Sequence, residues 1–274
     1  MFTKLAIIFG IVFQTISGHP LDSAQPQYDI KNFLTSRIVG GQDAPEGYGE
    51  YMVALVTGYY VKALMCGGSI ISKRYVLTAA HCIEPFIIWG QLTPQFKGVI
   101  GSQNWNSSQY IKFSDYDIHP HWDWGTLKND IGVLKTAKEI VYGERVRPIA
   151  LSFGWTDGGE KSFVTGWGRV EAWGDIPYHL QMLHVNTISG LQCVKAWQEA
   201  SAVVGPTPPV HPEIEICTLH SVGHGMCNGD SGSPLVTLGL RQVGIVSWGL
   251  ACAHGIPDVY VRISAYKYYL AKFL

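Results

Sequence analysis

Gly229-Asp230-Ser231-Gly232-Ser233-Pro234 sets one serine between glycines and beside an acid. A serine hydroxyl is a poor nucleophile unless a base takes its proton and N–H groups await the oxyanion; flanking glycines let the backbone approach a substrate closely. A candidate base lies upstream in Leu77-Thr78-Ala79-Ala80-His81-Cys82, where one of 10 histidines ends a run of small residues. Between the two lies Lys128-Asn129-Asp130-Ile131-Gly132-Val133-Leu134. An aspartate leading into an apolar strand suits the task of holding an imidazole in one tautomer and stabilising its cation.

Around these strings, from Ile38 onward, short apolar runs alternate with Gly and turn residues: Met52–Val56, Ser69–Ser72, Tyr75–Ala79, Val99–Gly101, Ile131–Leu134, Phe163–Gly166, Gln242–Trp248 and Val259–Ile263. Many short strands and few amphipathic stretches indicate an all-β sandwich or barrel. The one good helical pattern is terminal, with Tyr266, Tyr269, Leu270 and Phe273 at i, i+3, i+4 and i+7. No internal repeat of solenoid or propeller period is visible. The chain has 274 residues, 47% hydrophobic and 15% charged, and a chain of this length buries ~75% of its unfolded surface. With 31 glycines and 14 prolines, it stays well under the ~25–30% content typical of low complexity. Twenty basic residues balance 21 acidic ones, with no run of either sign, so neither nucleic acid nor an anionic membrane is an expected partner.

Lys4, nine apolar or glycine residues from Leu5 to Phe13, and a small-residue stretch ending at Ser17-Gly18 match a secretory signal over residues 1–18. The apolar run is shorter than the ~20 residues that span a bilayer, and the mature chain is expected to be soluble, secreted and extracellular. Residues 19–37, polar with two prolines, read as a removable segment. Six cysteines, at 66, 82, 193, 217, 227 and 252, are never closer than ten residues. That excludes C-x-x-C spacings and, with export, suggests three disulfides, although six cysteines allow 15 pairings.

The ordered strings around His81, Asp130 and Ser231 resemble the chymotrypsin-type serine endopeptidases of the trypsin-like superfamily, insect digestive chymotrypsins in particular. The resemblance spans residues 38–274 and includes Arg37-Ile38-Val39-Gly40-Gly41, Cys66-Gly67-Gly68-Ser69, Gly166-Trp167-Gly168, Ser247-Trp248-Gly249 and Pro257-Asp258-Val259-Tyr260. It implies two antiparallel six-stranded β-barrels with a C-terminal helix, divided near residue 150, with His81 and Asp130 on the first, Ser231 on the second, and the cleft between them. It makes Ser231 the nucleophile, His81 the general base and then acid, Asp130 the orienting carboxylate, and the N–H groups of Gly229 and Ser231 the oxyanion hole. It also implies a zymogen cut after Arg37, whose new terminus at Ile38 pairs with Asp230. The family's disulfides are Cys66–Cys82, Cys193–Cys217 and Cys227–Cys252. Neither cofactor nor metal is implied. The implied partners are protein or peptide substrates, an activating trypsin-like protease and protein protease inhibitors, and the implied state is a monomer.

In such enzymes the pocket floor lies six positions before the nucleophile, here Gly225. Trypsin-like specificity uses an aspartate there, so a preference for Phe, Tyr, Leu or Met is expected, in a pocket bordered by Ser247, Trp248 and Gly249. Asp258, however, stands where glycine is usual. Its carboxylate either reaches a basic side chain or is satisfied by neighbouring backbone donors. Two more departures are Ser233, where glycine is usual, and the 23 residues between Cys193 and Cys217, which contain Gly205-Pro206-Thr207-Pro208-Pro209-Val210-His211-Pro212. This loop either modifies outer subsites or is an inert insertion. Asn106-Ser107-Ser108 is a glycosylation sequon. A non-catalytic homologue acting by binding is the alternative function, but such proteins usually lose a triad member. A cascade protease would need an N-terminal interaction domain, for which residues 19–37 are too short.

Overall fold

The computed structural model describes residues 38–59, 61–171 and 173–274. The expected signal (1–18), the activation segment (19–37) and Arg37 lie outside the described residues.

Two closed rings of six strands hold the chain. The first comprises β1 (Met52–Thr57), β2 (Ala63–Ile70), β3 (Tyr75–Thr78), β4 (Lys97–Val99), β5 (Tyr110–Ile118) and β6 (Gly132–Thr136). Its antiparallel order is β1-β2-β3-β6-β5-β4, with β4 returning to β1. The second comprises β7 (Lys161–Gly166), β8 (Gln181–Ile188), β9 (Glu215–Leu219), β10 (Pro234–Thr237), β11 (Arg241–Trp248) and β12 (Asp258–Arg262). Its order, β7-β8-β9-β12-β11-β10 and back to β7, repeats that of the first. The fold thus contains a repeat of strand order that the sequence does not display. Gln42–Asp43 adds to β8, and Ala150–Leu151 runs parallel to β11.

The run Met52-Val53-Ala54-Leu55-Val56 shows why closure works. Successive residues of a strand face opposite sides. Val53 and Leu55 enter the core of the first ring, while Met52, Ala54 and Val56 pack with Phe163, Trp167, Leu180, Met182 and Val236 of the second. A strand buried on both faces reads as a continuous apolar run.

Two helical expectations change. Of the C-terminal pattern, Tyr266, Leu270 and Phe273 are buried against the first ring and Tyr269 is half-buried beside them, but only Lys267–Leu270 is α-helical, flanked by 3-10 turns at Ile263–Tyr266 and Ala271–Phe273. The main helix is one that periodicity did not reveal: α1, Gly190–Val204, which runs from just before Cys193 into the 23 residues read as a long loop. It begins with a capping box in which the Ser189 hydroxyl accepts from Gln192 N and the Gln192 side chain accepts from Ser189 N. Its buried stripe is only Cys193, Trp197 and Ala200. All three disulfides form as the resemblance implied, Cys66–Cys82, Cys193–Cys217 and Cys227–Cys252, and the second ties α1 to β9. Among the described residues, no helix is long and apolar enough to cross a membrane.

Candidate active site

Beyond β3 the chain turns through a 3-10 segment, Ala80–Cys82, that carries His81. The His81 backbone N–H donates to Asp130 Oδ1 at 2.9 Å, and Nδ1 lies 2.7 Å from Asp130 Oδ2. A carboxylate facing Nδ1 sets the tautomer: Nδ1 carries the proton and Nε2 is the basic nitrogen. Asp130, two residues before β6, is 1% exposed. The Ser247 hydroxyl, near the end of β11, donates to the same Oδ2 at 2.6 Å. Three donors therefore compensate the buried carboxylate and fix its orientation. Burial lowers the pKa of His81, but the charge of Asp130 and its hydrogen bond outweigh burial and hold it above 6.5.

Ser231 comes from the second ring, in the turn before β10. Its carbonyl accepts from Gly67 N of β2 at 2.7 Å, Gly232 N donates to Val246 O at 2.8 Å, and the Thr78 hydroxyl donates to Gly67 O at 2.8 Å. These bonds pin the serine turn to the strands that lead to His81. Glycine is required for the approach: Gly232 has φ +78°, and a Cβ at Gly67 or Gly232 would overlap Ser233 Oγ or Thr78 Oγ1. The Ser231 hydroxyl itself forms no hydrogen bond with His81 among the described residues. In ligand-free enzymes such bonds are often long and tighten with substrate. Asp230 N donates to Cys227 O at 3.1 Å, whereas the N–H groups of Gly229 and Ser231 have no acceptor among the described residues. Two donors are thus left free beside the hydroxyl. Ser233, the departure from glycine, is buried with its hydroxyl unpartnered among the described residues.

Asp230 is fully buried and accepts from Gly168 N at 2.8 Å and Cys227 N at 3.1 Å. A Cβ at Gly166 or Gly168 would run into its carboxyl group, which accounts for both glycines of Gly166-Trp167-Gly168. Burial pushes this carboxyl up to about 7. Ile38, also fully buried, packs with Val164, Met226 and Tyr260 inside the second ring, and Gly225 N donates to Val39 O at 3.1 Å. The backbone of Ile38 has φ +38°, a left-handed conformation rare for a β-branched residue.

Ser231, Ser247, Trp248, Gly249 and Asp258 line one cavity of about 160 Å³, together with the disulfide-bonded Cys227 and with Met226, Asn228, Val246 and Ala251, to which the sequence pattern assigned no role. Gly225 does not line it directly; a Cβ there would lie 3.0 Å from Asp258 Oδ2. Asp258 Oδ2 accepts from Met226 N at 3.1 Å, and Oδ1 makes no hydrogen bond among the described residues. Burial pushes this carboxyl, too, up to about 7. α1 braces the wall: the Trp197 ring lies 4.7 Å from that of Trp248, and Trp197 Nε1 donates to Pro257 O at 3.1 Å. Asn106 of the sequon is exposed.

The model of the Trypsin family matches residues 38–270. The chain is 37% identical over 238 residues to Chymotrypsin-2 of Vespa crabro, covering 86% of this chain and 99% of that protein. It is 34% identical over 236 residues to Trypsin II-P29 of Gallus gallus, covering 84% of this chain and 86% of that protein. It is 30% identical over 261 residues to Serine protease SP24D of Anopheles gambiae, covering 95% of this chain and 89% of that protein. A match that runs through both rings means that this chain belongs to the trypsin family and is a serine endopeptidase of chymotrypsin-like fold.

Proposed function

We propose that the protein is a secreted endopeptidase, made as a zymogen, that cleaves after bulky apolar residues by a Ser231–His81–Asp130 mechanism. The observation that carries this reading is the hydrogen-bonded chain His81–Asp130–Ser247, which ends at the cavity that Ser231 lines. His81 Nε2 accepts the Ser231 proton as Oγ attacks the scissile carbonyl carbon. The oxygen that becomes negative is met by the free N–H groups of Gly229 and Ser231. His81 then gives the proton to the leaving amine as the C–N bond breaks and leaves an ester on Ser231. A water molecule, deprotonated by the same imidazole, attacks that ester and frees the acid and the serine. Asp130 keeps the ring aligned and stabilises its cation.

The pocket supports an apolar preference. An apolar cavity of ~150 Å³ can take up benzene, and burying a Phe, Leu or Met side chain yields about 1.5–3 kcal/mol. Asp258 adds a second feature: one oxygen is held by Met226 N–H, and the other remains available to a cation in the cavity. Cleavage after Arg is therefore expected as a minor activity. Its precursor is cut after Arg37 by a trypsin-like protease, protein inhibitors occupy the same cleft, and the enzyme acts as a monomer.

The test uses the activated enzyme, which should begin with Ile38, on matched peptides ending in Phe, Leu and Arg. Ser231→Ala and His81→Ala should each lower kcat on the order of 10⁴–10⁶-fold with folding intact; a retained tenth of activity would overturn the mechanism. Asp258→Gly should lose Arg cleavage selectively. An Arg preference over Phe in the wild type would sink the apolar reading, and an unchanged Arg-to-Phe ratio in the variant would make Asp258 a wall residue only.

A further inference from the structure

Lys and Glu are almost never buried unless paired. Lys128 and Glu215 are 7% and 4% exposed, and Lys128 Nζ lies 2.7 Å from Glu215 Oε1. A buried pair of this kind is often no more stabilising than apolar residues of similar volume, so stability alone does not explain it. Its position does. Glu215 Oε1 also accepts from Trp248 Nε1 at 2.9 Å, and Oε2 accepts from His211 N at 2.6 Å. Lys128 Nζ stands 4.9 Å from the centroid of the Trp248 ring, within cation–π range. One carboxylate thus gathers a first-ring lysine, the indole of the pocket wall and the end of the proline-rich 205–212 segment.

The connections meet at the catalytic residues. Lys128 is two residues before Asp130, and Trp248 follows Ser247, whose hydroxyl holds Asp130 Oδ2. Two parallel links therefore join β11 to the segment that enters β6: Ser247 to Asp130, and Trp248 through Glu215 to Lys128. We propose that Lys128 and Glu215 are positioning residues that fix the Trp248 wall, and so the binding of an extended peptide, relative to the His81–Asp130 pair. The same carboxylate gives the long loop between Cys193 and Cys217 a role, because it anchors His211 at the back of that wall. This inference rests on the pocket assignment made above.

The experiment compares a tetrapeptide anilide ending in Phe, which lies along the wall, with p-nitrophenyl acetate, which needs only the reacting groups. In Lys128→Met the anilide KM should rise ~5-fold or more with kcat and acetate hydrolysis within ~2-fold, the signature of lost binding rather than lost chemistry. Because a lone buried Glu215 charge threatens folding, two double variants separate position from charge. Lys128→Met with Glu215→Gln keeps an acceptor for Trp248 Nε1 while its amide nitrogen gives up the bond from His211 N, and should restore KM and most of the lost Tm. Lys128→Met with Glu215→Leu removes the charge and the acceptor, and should restore Tm but not KM. Wild-type KM in the Leu double variant, or a proportional fall of anilide and acetate turnover in Lys128→Met, would overturn the proposal. Loss of wild-type anilide cleavage in Ser231→Ala checks the functional reading separately.

Discussion

At the scale of the residue, His81 is set by opposing forces of unequal size. Burial disfavours its cation, while Asp130, with a full charge and a hydrogen bond at 2.7 Å, favours it, and the net effect raises the pKa. A base must be neutral to accept the Ser231 proton. Hence kcat/KM of the activated enzyme should rise with pH through a midpoint above the 6.5 of ordinary imidazole. Asp130→Asn should remove the upward push and expose the pull of burial, lowering that midpoint along with the rate. A pH profile of both proteins on one anilide checks this; a wild-type midpoint below 6.5 would place the titration elsewhere. The strings of the proposed triad were legible because each is contiguous: a serine between glycines, a histidine after small residues, an aspartate before a strand. Lys128 and Glu215 were not, because they are distant in the chain and each alone reads as a surface charge.

At the scale of the element, legibility followed burial on both faces. Met52–Val56 and Gln242–Trp248 read as strands because nearly every residue in them is buried. Tyr110–Ile118 did not, since none of its residues is fully buried and polar ones interrupt the apolar positions. α1 escaped for a related reason: a stripe of Cys193, Trp197 and Ala200 is too narrow for a periodicity argument. The capping box at Ser189 and Gln192 was the available signal. α1 is nevertheless tied to the pocket, through the Trp197–Trp248 ring contact and the bond to Pro257 O beside Asp258. Trp197→Phe keeps a ring and deletes that donor. It should cost about 1–3 kcal/mol, the penalty of leaving a buried acceptor unpaired, and raise KM for peptides ending in Phe with little change in kcat. Thermal unfolding and initial-rate kinetics measure the two effects; a stability loss with unchanged KM would confine α1 to a supporting role.

At the scale of the whole molecule, the uncut chain is under two local penalties that cleavage after Arg37 would remove together. Ile38 is a β-branched residue at φ +38°, a conformation costing on the order of 1–3 kcal/mol, and that torsion ceases to exist once the preceding peptide bond is cut. Asp230 has two backbone donors and no ion-pair partner among the described residues, and burial raises its pKa from 3.8 to about 7. An acid whose folded pKa is raised holds its proton in the folded state after the unfolded chain has lost it. Stability of the uncut protein should therefore fall as pH rises from about 4 to about 7, and remain low above that. At ~1.4 kcal/mol per pKa unit, the loss amounts to a few kcal/mol. A new amine at Ile38 paired with Asp230 would reverse the sign of that carboxylate's shift and abolish its share of the loss. Asp258, raised to about 7 as well, chiefly by burial, adds a slope of its own to both forms, so the informative quantity is the difference between them. With Ser231→Ala to prevent self-digestion, urea midpoints of cut and uncut protein should diverge steadily between pH 4 and 8, the cut form gaining. Asp230→Asn should flatten the uncut curve and erase the divergence. Parallel curves for cut and uncut protein would show that Asp230 is not the partner of the new terminus.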